Sequence, residues 1–224
     1  MSVQALIFDI DGTLGDTVPL CYEGFRQTLL KMTGRRWTDE SIDALFGPTE
    51  EGIFQRLMPD RWEEAMDLYI ASYAELHERL VKPLPGIRDV LDLLRSRNVP
   101  LAVTTGKGPR SAAVTLDALG LAPYFEQVET GSPTGSRKAE AIRKVSDAWG
   151  LPPAQVAYLG DSPADMRDAR QAGALPLGAG WASTTSEERI ASMKAQGAHR
   201  VFRTVAEFRH WVEGNVDGLS QTLP

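Results

Sequence analysis

Apolar runs bounded by glycine-containing turns recur along the chain and predict buried β-strands. The first run, VQALIF at residues 3–8, is apolar on both faces and ends in an acidic turn that contains glycine. This pattern is typical of a strand in a parallel sheet whose two faces are both covered. Further strands are predicted at PLAVT (100–104), FEQVET (125–130), QVAYL (155–159), ALPLG (174–178) and HRVF (199–202).

Segments with helical periodicity separate these strands. They cover about residues 87–97, 110–119, 137–149 and 163–172, and two more follow near the end of the chain. Strands that alternate with helices imply a parallel sheet with helices on both faces. From about residue 17 to residue 82 the pattern is instead helical throughout, with no convincing strand.

These patterns predict an α/β fold, a doubly wound parallel sheet with an inserted all-helical domain. We expect the α/β core to comprise residues 1–15 and 83–224 and the helical domain to comprise residues 16–82. The chain has 224 residues, which allows this division, because single domains usually run to about 100 to 200 residues.

Composition narrows the classes of partner. The formal net charge of −6 argues against a nonspecific binder of nucleic acids or anionic membranes, because such proteins need basic surfaces. Cys21 is the only cysteine, so no disulfide can form within the chain. The sequence shows no secretion signal and no apolar run that approaches ~18 residues in length. We therefore expect a cytoplasmic protein that binds neither nucleic acid nor membrane.

Two carboxylates follow the first predicted strand, in the segment DIDGT. Asp9 and Asp11 are two residues apart, so in extended geometry both side chains project toward one crevice. The two carboxylates of such a pair can have different roles, one attacking phosphorus and the other transferring a proton. This requires that neighbouring groups give the two carboxylates different pKa values. A calcium loop is the alternative, but it requires a glutamate where Leu20 stands, and a helix rather than a strand before it.

A second acidic cluster, GDSPADM, follows the strand QVAYL. It places Asp161 and Asp165 at a strand end, where ligands bind in open α/β sheets. Hard carboxylate oxygens at such a point suit Mg²⁺, which bridges carboxylates and phosphate oxygens. Taken alone, the same residues could instead be a helix cap and a first-turn acid.

The strand PLAVT leads into Thr104, Thr105, Gly106 and Lys107, where a hydroxyl and free backbone amides could hold phosphate oxygens. A plain strand-to-loop connection explains these residues equally well. Lys138 opens a predicted helix and could neutralise charge on a nucleophile and a transferring phosphoryl group. A surface lysine is the simpler explanation of that residue alone.

Taken in order, DIDGT, VTTGK, RK and GDSPAD resemble the four motifs of the haloacid dehalogenase (HAD) superfamily, and they span nearly the whole chain. The resemblance implies that Asp9 is the nucleophile and Asp11 the general acid/base. It also implies that the Thr105 hydroxyl donates a hydrogen bond to phosphate and that Lys138 balances the negative charge of the site. Gly106 and Lys138 would join Thr105 in binding the phosphate.

The same resemblance implies a Mg²⁺ cofactor. Asp9, Asp161 and the backbone carbonyl of Asp11 would be its ligands, and Asp165 would order the groups around them. The helical segment looks like the small mobile cap of the subfamily that includes phosphoglycolate phosphatases and β-phosphoglucomutases. It would move on hinges at its two ends.

Some positions depart from the family pattern. Relatives often have asparagine where Gly106 stands, and a Lys-Pro pair where this chain has Lys138-Ala139. The tandem threonines leave Thr104 as an alternative to Thr105, and Lys107 is an alternative to Lys138.

The three histidines, His77, His199 and His210, are predicted to lie on the surface or at an interface, away from all four motifs.

Within the superfamily, Asp11 disfavours dehalogenases, which lack the second carboxylate, and phosphonatases, which have alanine there. β-Phosphoglucomutases usually have an arginine where this chain has Glu50. We therefore expect a phosphatase acting on a small phosphorylated metabolite, with phosphoglycolate as the first substrate to test, in a monomer or homodimer. The alternatives are a β-phosphoglucomutase-like phosphotransferase and a non-catalytic phospho-switch or binding protein.

Overall fold

Six parallel strands form the centre of the fold, as the pattern of apolar runs predicts. The computed structural model describes residues 3–81 and 84–218. The strands are β1 (Ala5–Phe8), β2 (Leu101–Thr104), β3 (Gln127–Glu129), β4 (Val156–Gly160), β5 (Leu175–Ala179) and β6 (Arg200–Phe202). Their order across the sheet is β3-β2-β1-β4-β5-β6, and every neighbouring pair is parallel. The predicted fold class, a doubly wound α/β sheet, is confirmed.

Ten α-helices are found in the described residues. Four lie between β1 and β2 and precede the rest of the core: α1 (Val18–Thr33), α2 (Asp39–Asp43), α3 (Glu50–Leu57) and α4 (Trp62–Leu80). The other six belong to the core: α5 (Ile87–Ser96), α6 (Pro109–Leu119), α7 (Lys138–Ala148), α8 (Pro163–Ala172), α9 (Glu187–Ala195) and α10 (Val205–Asn215). None of the helices in this part of the chain is both long and apolar enough to cross a membrane.

Helices cover both faces of the sheet because successive residues of a strand point to opposite sides. From β1, Leu6 and Phe8 enter one apolar cluster together with residues of α5 and α10. Ala5 and Ile7 point the other way, into a cluster with residues of α7 and α8. All four side chains are fully buried. This explains why the sequence of β1 is apolar without alternation.

Helices α1 to α4 have an apolar core of their own, built largely from aromatic rings. Phe25 lies 4.8 Å from Tyr69 between ring centroids, and Tyr69 stacks on Tyr73 at 5.3 Å. These helices are called the helical insert below. The division at residues 16–82 stays a prediction, since Lys82 and Pro83 at its second boundary lie outside the described residues.

The helical insert packs on the core through α4 and α6. The Tyr73 hydroxyl and the His77 ring nitrogen Nε2 each lie 3.1 Å from the Thr115 hydroxyl oxygen. His77 is only 1% exposed, so it is a buried contact between the two units and not a surface residue. A second contact joins the Thr49 amide to the Ser132 carbonyl oxygen at 3.0 Å.

Substitution of leucine by alanine at a fully buried position of α5 tests this account of the core. Leu91 is fully buried, so Leu91→Ala should lower the free energy of unfolding by about 2 to 5 kcal/mol, through lost transfer energy and a cavity. Leu30 on α1 is 42% exposed, and Leu30→Ala should cost roughly 0.5 kcal/mol or less. Urea unfolding of both variants measures the difference, and equal losses would contradict the assigned packing.

Candidate active site

The predicted site residues come together where the strand order reverses direction. The chain runs from β1 outward to β3 on one side of the sheet and then returns to β4 beside β1. Asp9 directly follows β1, Thr105 follows β2 and Asp161 follows β4. Such a reversal leaves a crevice at the carboxyl ends of the strands. A cavity of about 330 Å³ lies there, and residues of both the core and the helical insert line it.

Three buried carboxylates form the floor of this cavity. One carboxylate oxygen from each of Asp9, Asp161 and Asp165 lies within 4.8 Å of the others. The Asp9 Oδ1 atom is buried and has no hydrogen-bond partner. An unpartnered carboxylate oxygen in a cluster of oxygen donors is what a hard divalent cation requires. The donor set therefore fits the Mg²⁺ that the sequence predicts.

Lys138 connects two of these carboxylates. Its Nζ lies 2.5 Å from Asp165 Oδ1 and 3.3 Å from Asp9 Oδ2. Asp165 also accepts hydrogen bonds from the Tyr158 hydroxyl and from the amide and hydroxyl of Ser162. Both oxygens of Asp165 are thus engaged by protein groups. The contacts suit a residue that holds Lys138 in place better than one that binds a metal directly.

Asp11 lies beside a different lysine. Lys107 Nζ is 3.1 Å from Asp11 Oδ2, and the Thr17 hydroxyl donates to Asp11 Oδ1. Lys107 is 5% exposed and also lies over the ring of Tyr73, 4.5 Å from its centroid. The two lysines that the sequence leaves as rivals therefore occupy separate places, Lys138 by Asp9 and Lys107 by Asp11.

The pKa values of the two aspartates after β1 are shifted in opposite directions. Burial raises the pKa of Asp9 to about 6, although Lys138 opposes the shift. Burial would also raise the pKa of Asp11, but the charge of Lys107 and hydrogen bonds from Thr17, Lys107 and Cys21 lower it below its ordinary value. The neighbouring groups thus give the two aspartates different pKa values, as separate roles for the two carboxylates require. The shifts bring Asp9 closer to its neutral form than Asp11, although a nucleophile should be the more ionised of the two.

Asp161 is held from two sides. Arg189 of α9 donates from Nη2 to Asp161 Oδ2 at 2.9 Å and from Nε to the Asp161 carbonyl oxygen at 2.8 Å. Burial nevertheless raises the pKa of Asp161 to about 8, with Arg189 opposing the shift. On the other side lies Gly12, where φ is +70° and an added Cβ would stand 2.5 Å from Asp161 Oδ2. A side chain at residue 12 would displace this carboxylate.

The segment after β2 distinguishes the two threonines. Thr105, Gly106 and Lys107 line the cavity. The Thr105 hydroxyl oxygen accepts a hydrogen bond from the Lys107 amide at 3.3 Å. Thr104 is also buried but is not among the lining residues. The structure therefore places Thr105, not Thr104, in the wall of the cavity.

Contacts between the helical insert and the core complete the site, and the sequence did not reveal them. Glu50, buried at the start of α3, accepts a hydrogen bond from the Gly108 amide at 2.7 Å and one from the Ser111 hydroxyl at 2.6 Å. It also lies 3.9 Å from Lys107 Nζ. Glu50 thus joins the insert to the first turn of α6 directly above the cavity. Arg189 and Thr17 likewise belong to the site and carried no recognisable sequence signal.

Comparisons with known proteins agree with this geometry. Residues 6–178 match the family model described as haloacid dehalogenase-like hydrolase. The phosphoglycolate phosphatase of Neisseria meningitidis is 30% identical over 187 residues, 79% of this chain and 80% of that protein. The pyrophosphatase PpaX of Bacillus pumilus is 27% identical over 191 residues, 84% of this chain and 88% of that protein. The crystal structure of CbbY from Rhodobacter sphaeroides, in complex with phosphate, superposes with a TM-score of 0.77 at 21% identity, covering 92% of this chain and 96% of that one.

The two raised pKa values predict how stability varies with pH in EDTA. Asp9 and Asp161 have pKa values of about 6 and about 8 in the folded protein, against an ordinary value of 3.8. Between roughly pH 4 and pH 8 these two carboxyl groups therefore bind more protons in the folded protein than in the unfolded chain, and they lower its stability as pH rises. Burial lowers the pKa of His77 from its ordinary value of 6.5, and this single group acts in the opposite sense. The lowered pKa values of Asp11 and Asp165 act only at the acid end of this window.

The readout is the melting temperature between pH 5 and pH 8. Wild type should lose stability with rising pH, and Asp161→Asn should make that loss smaller. Asp147 is exposed on α7, so Asp147→Asn should keep the wild-type slope. An unchanged slope in Asp161→Asn would contradict the assigned environment of Asp161.

Proposed function

Because this chain belongs to the haloacid dehalogenase-like hydrolase family, we propose that it is a Mg²⁺-dependent phosphatase that hydrolyses a small phosphomonoester through an aspartyl phosphate on Asp9. The observation that carries the proposal is the position of Asp9. Its carboxylate lies at the floor of the cavity, with Oδ1 unpartnered and Oδ2 3.3 Å from Lys138 Nζ. The homologues that bear phosphatase names support the same reaction class.

The reaction has two steps. In the first, an Asp9 oxygen forms a bond to phosphorus and the bond to the leaving alcohol breaks. Asp11 gives its proton to the leaving oxygen. In the second step, Asp11 takes a proton from water, whose oxygen bonds to phosphorus as the bond to Asp9 breaks. The phosphate then leaves, and Asp9 is again a free carboxylate.

The remaining polar residues bind and orient. Lys138 and the Thr105 hydroxyl, with backbone amides near Gly106, face the transferring phosphoryl group. Mg²⁺ would be held by Asp9, Asp161 and the Asp11 carbonyl, and when bound it neutralises charge on the phosphoryl oxygens. Asp165 keeps Lys138 in position through its contact at 2.5 Å.

Bound ligands would reverse this difference between the two pKa values. Asp9 is one of the residues that would hold the metal, and a divalent cation there would favour its charged carboxylate, the nucleophilic form. A phosphoryl dianion near Asp11 acts in the opposite sense, because its negative charge disfavours a second anion and raises the pKa of Asp11. Lys107 keeps Asp11 charged until that dianion arrives. In the loaded site, Asp9 would therefore be more fully ionised and Asp11 more readily protonated.

The helical insert acts as a cap over the reacting groups. Its contacts through Glu50 and Thr49 hold it against the core beside the cavity. Motion at its two ends would admit substrate, exclude water during the reaction and release product. A closed, dry site strengthens every charge interaction on the phosphoryl group. Three further expectations remain predictions from the sequence. They are phosphoglycolate as the first substrate to test, a cytoplasmic location, and a monomer or homodimer.

Substitution of each aspartate separates their roles. Asp9→Asn removes the nucleophile and should abolish turnover, whereas Asp11→Asn removes proton transfer and should slow it by roughly 10² to 10⁴-fold. Asp117 is exposed on α6, and Asp117→Asn should retain wild-type activity. Phosphate release at saturating Mg²⁺ measures all three variants. Near-normal turnover in purified Asp9→Asn would refute the role of Asp9.

Metal dependence is tested with a panel of phosphomonoesters. Inorganic phosphate is measured with phosphoglycolate, sugar phosphates, nucleotides and p-nitrophenyl phosphate, in Mg²⁺ and in EDTA. We expect release in Mg²⁺ and its loss in EDTA, with recovery when Mg²⁺ is restored. Equal release in EDTA would contradict the metal site. Isomerised sugar phosphate without phosphate release would favour a phosphotransferase.

A further inference from the structure

The wall that the helical insert contributes to the cavity is mostly apolar and aromatic. Residues from α1, from the segment around α2 and from α3 and α4 line this wall. The apolar or aromatic side chains among them are those of Val18, Cys21, Tyr22, Phe25, Phe46, Pro48, Ile53 and Tyr69. Phe25, Ile53 and Tyr69 are fully buried within the wall, so the accessible rings are those of Tyr22 and Phe46. Phe46 is 41% exposed and lies with its ring 5.5 Å from that of Tyr22. Surfaces of this kind bind apolar groups, because burial removes them from water.

The cationic side chains that line the cavity are already paired with carboxylates. Among the described residues that line it, the cationic side chains are Lys107, Lys138 and Arg189. Each lies within 3.3 Å of a carboxylate of the site: Lys107 at Asp11, Lys138 at Asp9 and Asp165, Arg189 at Asp161. All three belong to the core. The helical insert contributes no cation to the described lining.

The helical insert instead contributes two carboxylates. Asp43 at the end of α2 accepts a hydrogen bond from the Tyr22 hydroxyl at 2.8 Å. Glu50 accepts its hydrogen bonds from the core, at Gly108 and Ser111. The two Glu50 oxygens are thus engaged by the core, whereas Asp43 is exposed and lines the cavity. A negatively charged leaving group would face Asp43 with no free cation in the described lining to meet it, and like charges repel.

We infer that the site takes phosphomonoesters whose alcohol part has an apolar, aromatic body and carries no negative charge. The inference rests on the proposed function and narrows its substrate class. The phosphoryl end meets Lys138 and the carboxylate cluster, while the alcohol end meets the rings of Tyr22 and Phe46 together with Asp43. Phosphoglycolate carries a carboxylate on its alcohol part, so it ranks below neutral esters of similar size.

The test compares two esters that differ in one charged group, phenyl phosphate and 4-carboxyphenyl phosphate. Their binding to Asp9→Asn in Mg²⁺ is measured by isothermal titration calorimetry, so that the readout does not depend on turnover. Phenyl phosphate should bind about tenfold more tightly or better. Equal or tighter binding of the carboxylated ester, or no binding of either, would overturn the inference.

Parallel turnover assays keep the two proposals apart. Wild type is assayed for phosphate release from the same two esters in Mg²⁺. If neither ester is hydrolysed while the binding preference holds, the phosphatase proposal fails and the binding preference stands. If both are hydrolysed while the carboxylated ester binds as tightly, the phosphatase proposal stands and the preference fails.

A matched pair of variants identifies the source of the preference. Asp43→Asn keeps a hydrogen-bond acceptor for Tyr22 but removes the charge, so in the Asp9→Asn background it should reduce the preference for phenyl phosphate by about threefold or more. Glu40 is exposed on the same helix and does not line the cavity. Glu40→Gln in the same background should leave the preference unchanged. Equal effects of the two substitutions would contradict a local role for Asp43.

Discussion

The burial of three carboxylates at one edge of the sheet is the constraint on which the rest of this structure depends. Asp9, Asp161 and Asp165 lie within 4.8 Å of one another and are shielded from water. Burial of unpaired charge costs several kcal/mol for each ion. Lys138 and Arg189 supply two positive charges for three carboxylates. The remaining demand is for positive charge, is concentrated at Asp9 Oδ1, and is what a divalent cation would satisfy.

Much of the surrounding architecture serves this cluster. The sheet brings the ends of β1 and β4 side by side, and Gly12 leaves the space that the Asp161 carboxylate occupies. Lys107 holds Asp11 apart from the cluster, at the side of the cavity nearer to the helical insert. Glu50 then closes the insert over the core by its contacts with Gly108 and Ser111. Carboxylates that are costly to bury are thereby placed where a bound metal and substrate would use their charge.

The sequence predicts the core well because its strands carry strong local signals. The runs around Ala5–Phe8 and Val156–Gly160 are apolar on both faces, and acidic turns follow each of them. Parallel strands bring those turns to the same edge, so Asp9 and Asp161 could be placed together without a structure. The choice between Thr104 and Thr105 could not be made in this way, because it depends on which of two adjacent residues faces the cavity.

Residues that act across the boundary between insert and core escape sequence reasoning. Periodicity shows that α3 and α4 are helices, but it does not show which face meets the core or where. The sequence marks Glu50 only as a departure from the mutases and leaves His77 at either the surface or an interface, whereas the structure buries both in that contact. Arg189 lies 28 residues beyond Asp161 on a separate helix, and only the packing of α9 brings it to the site.

The covalent role of Asp9 is tested most directly by trapping the phosphorylated protein. Asp11→Asn is mixed with p-nitrophenyl phosphate and Mg²⁺, quenched in acid and digested for mass spectrometry. The leaving group of this ester needs little help from an acid, so the first step should proceed while hydrolysis of the aspartyl phosphate is slow. The account predicts a phosphoryl group on Asp9, absent when Asp9 is also replaced by asparagine. Phosphorylation of another residue, or steady turnover of substrate without any phosphorylated protein, would contradict it.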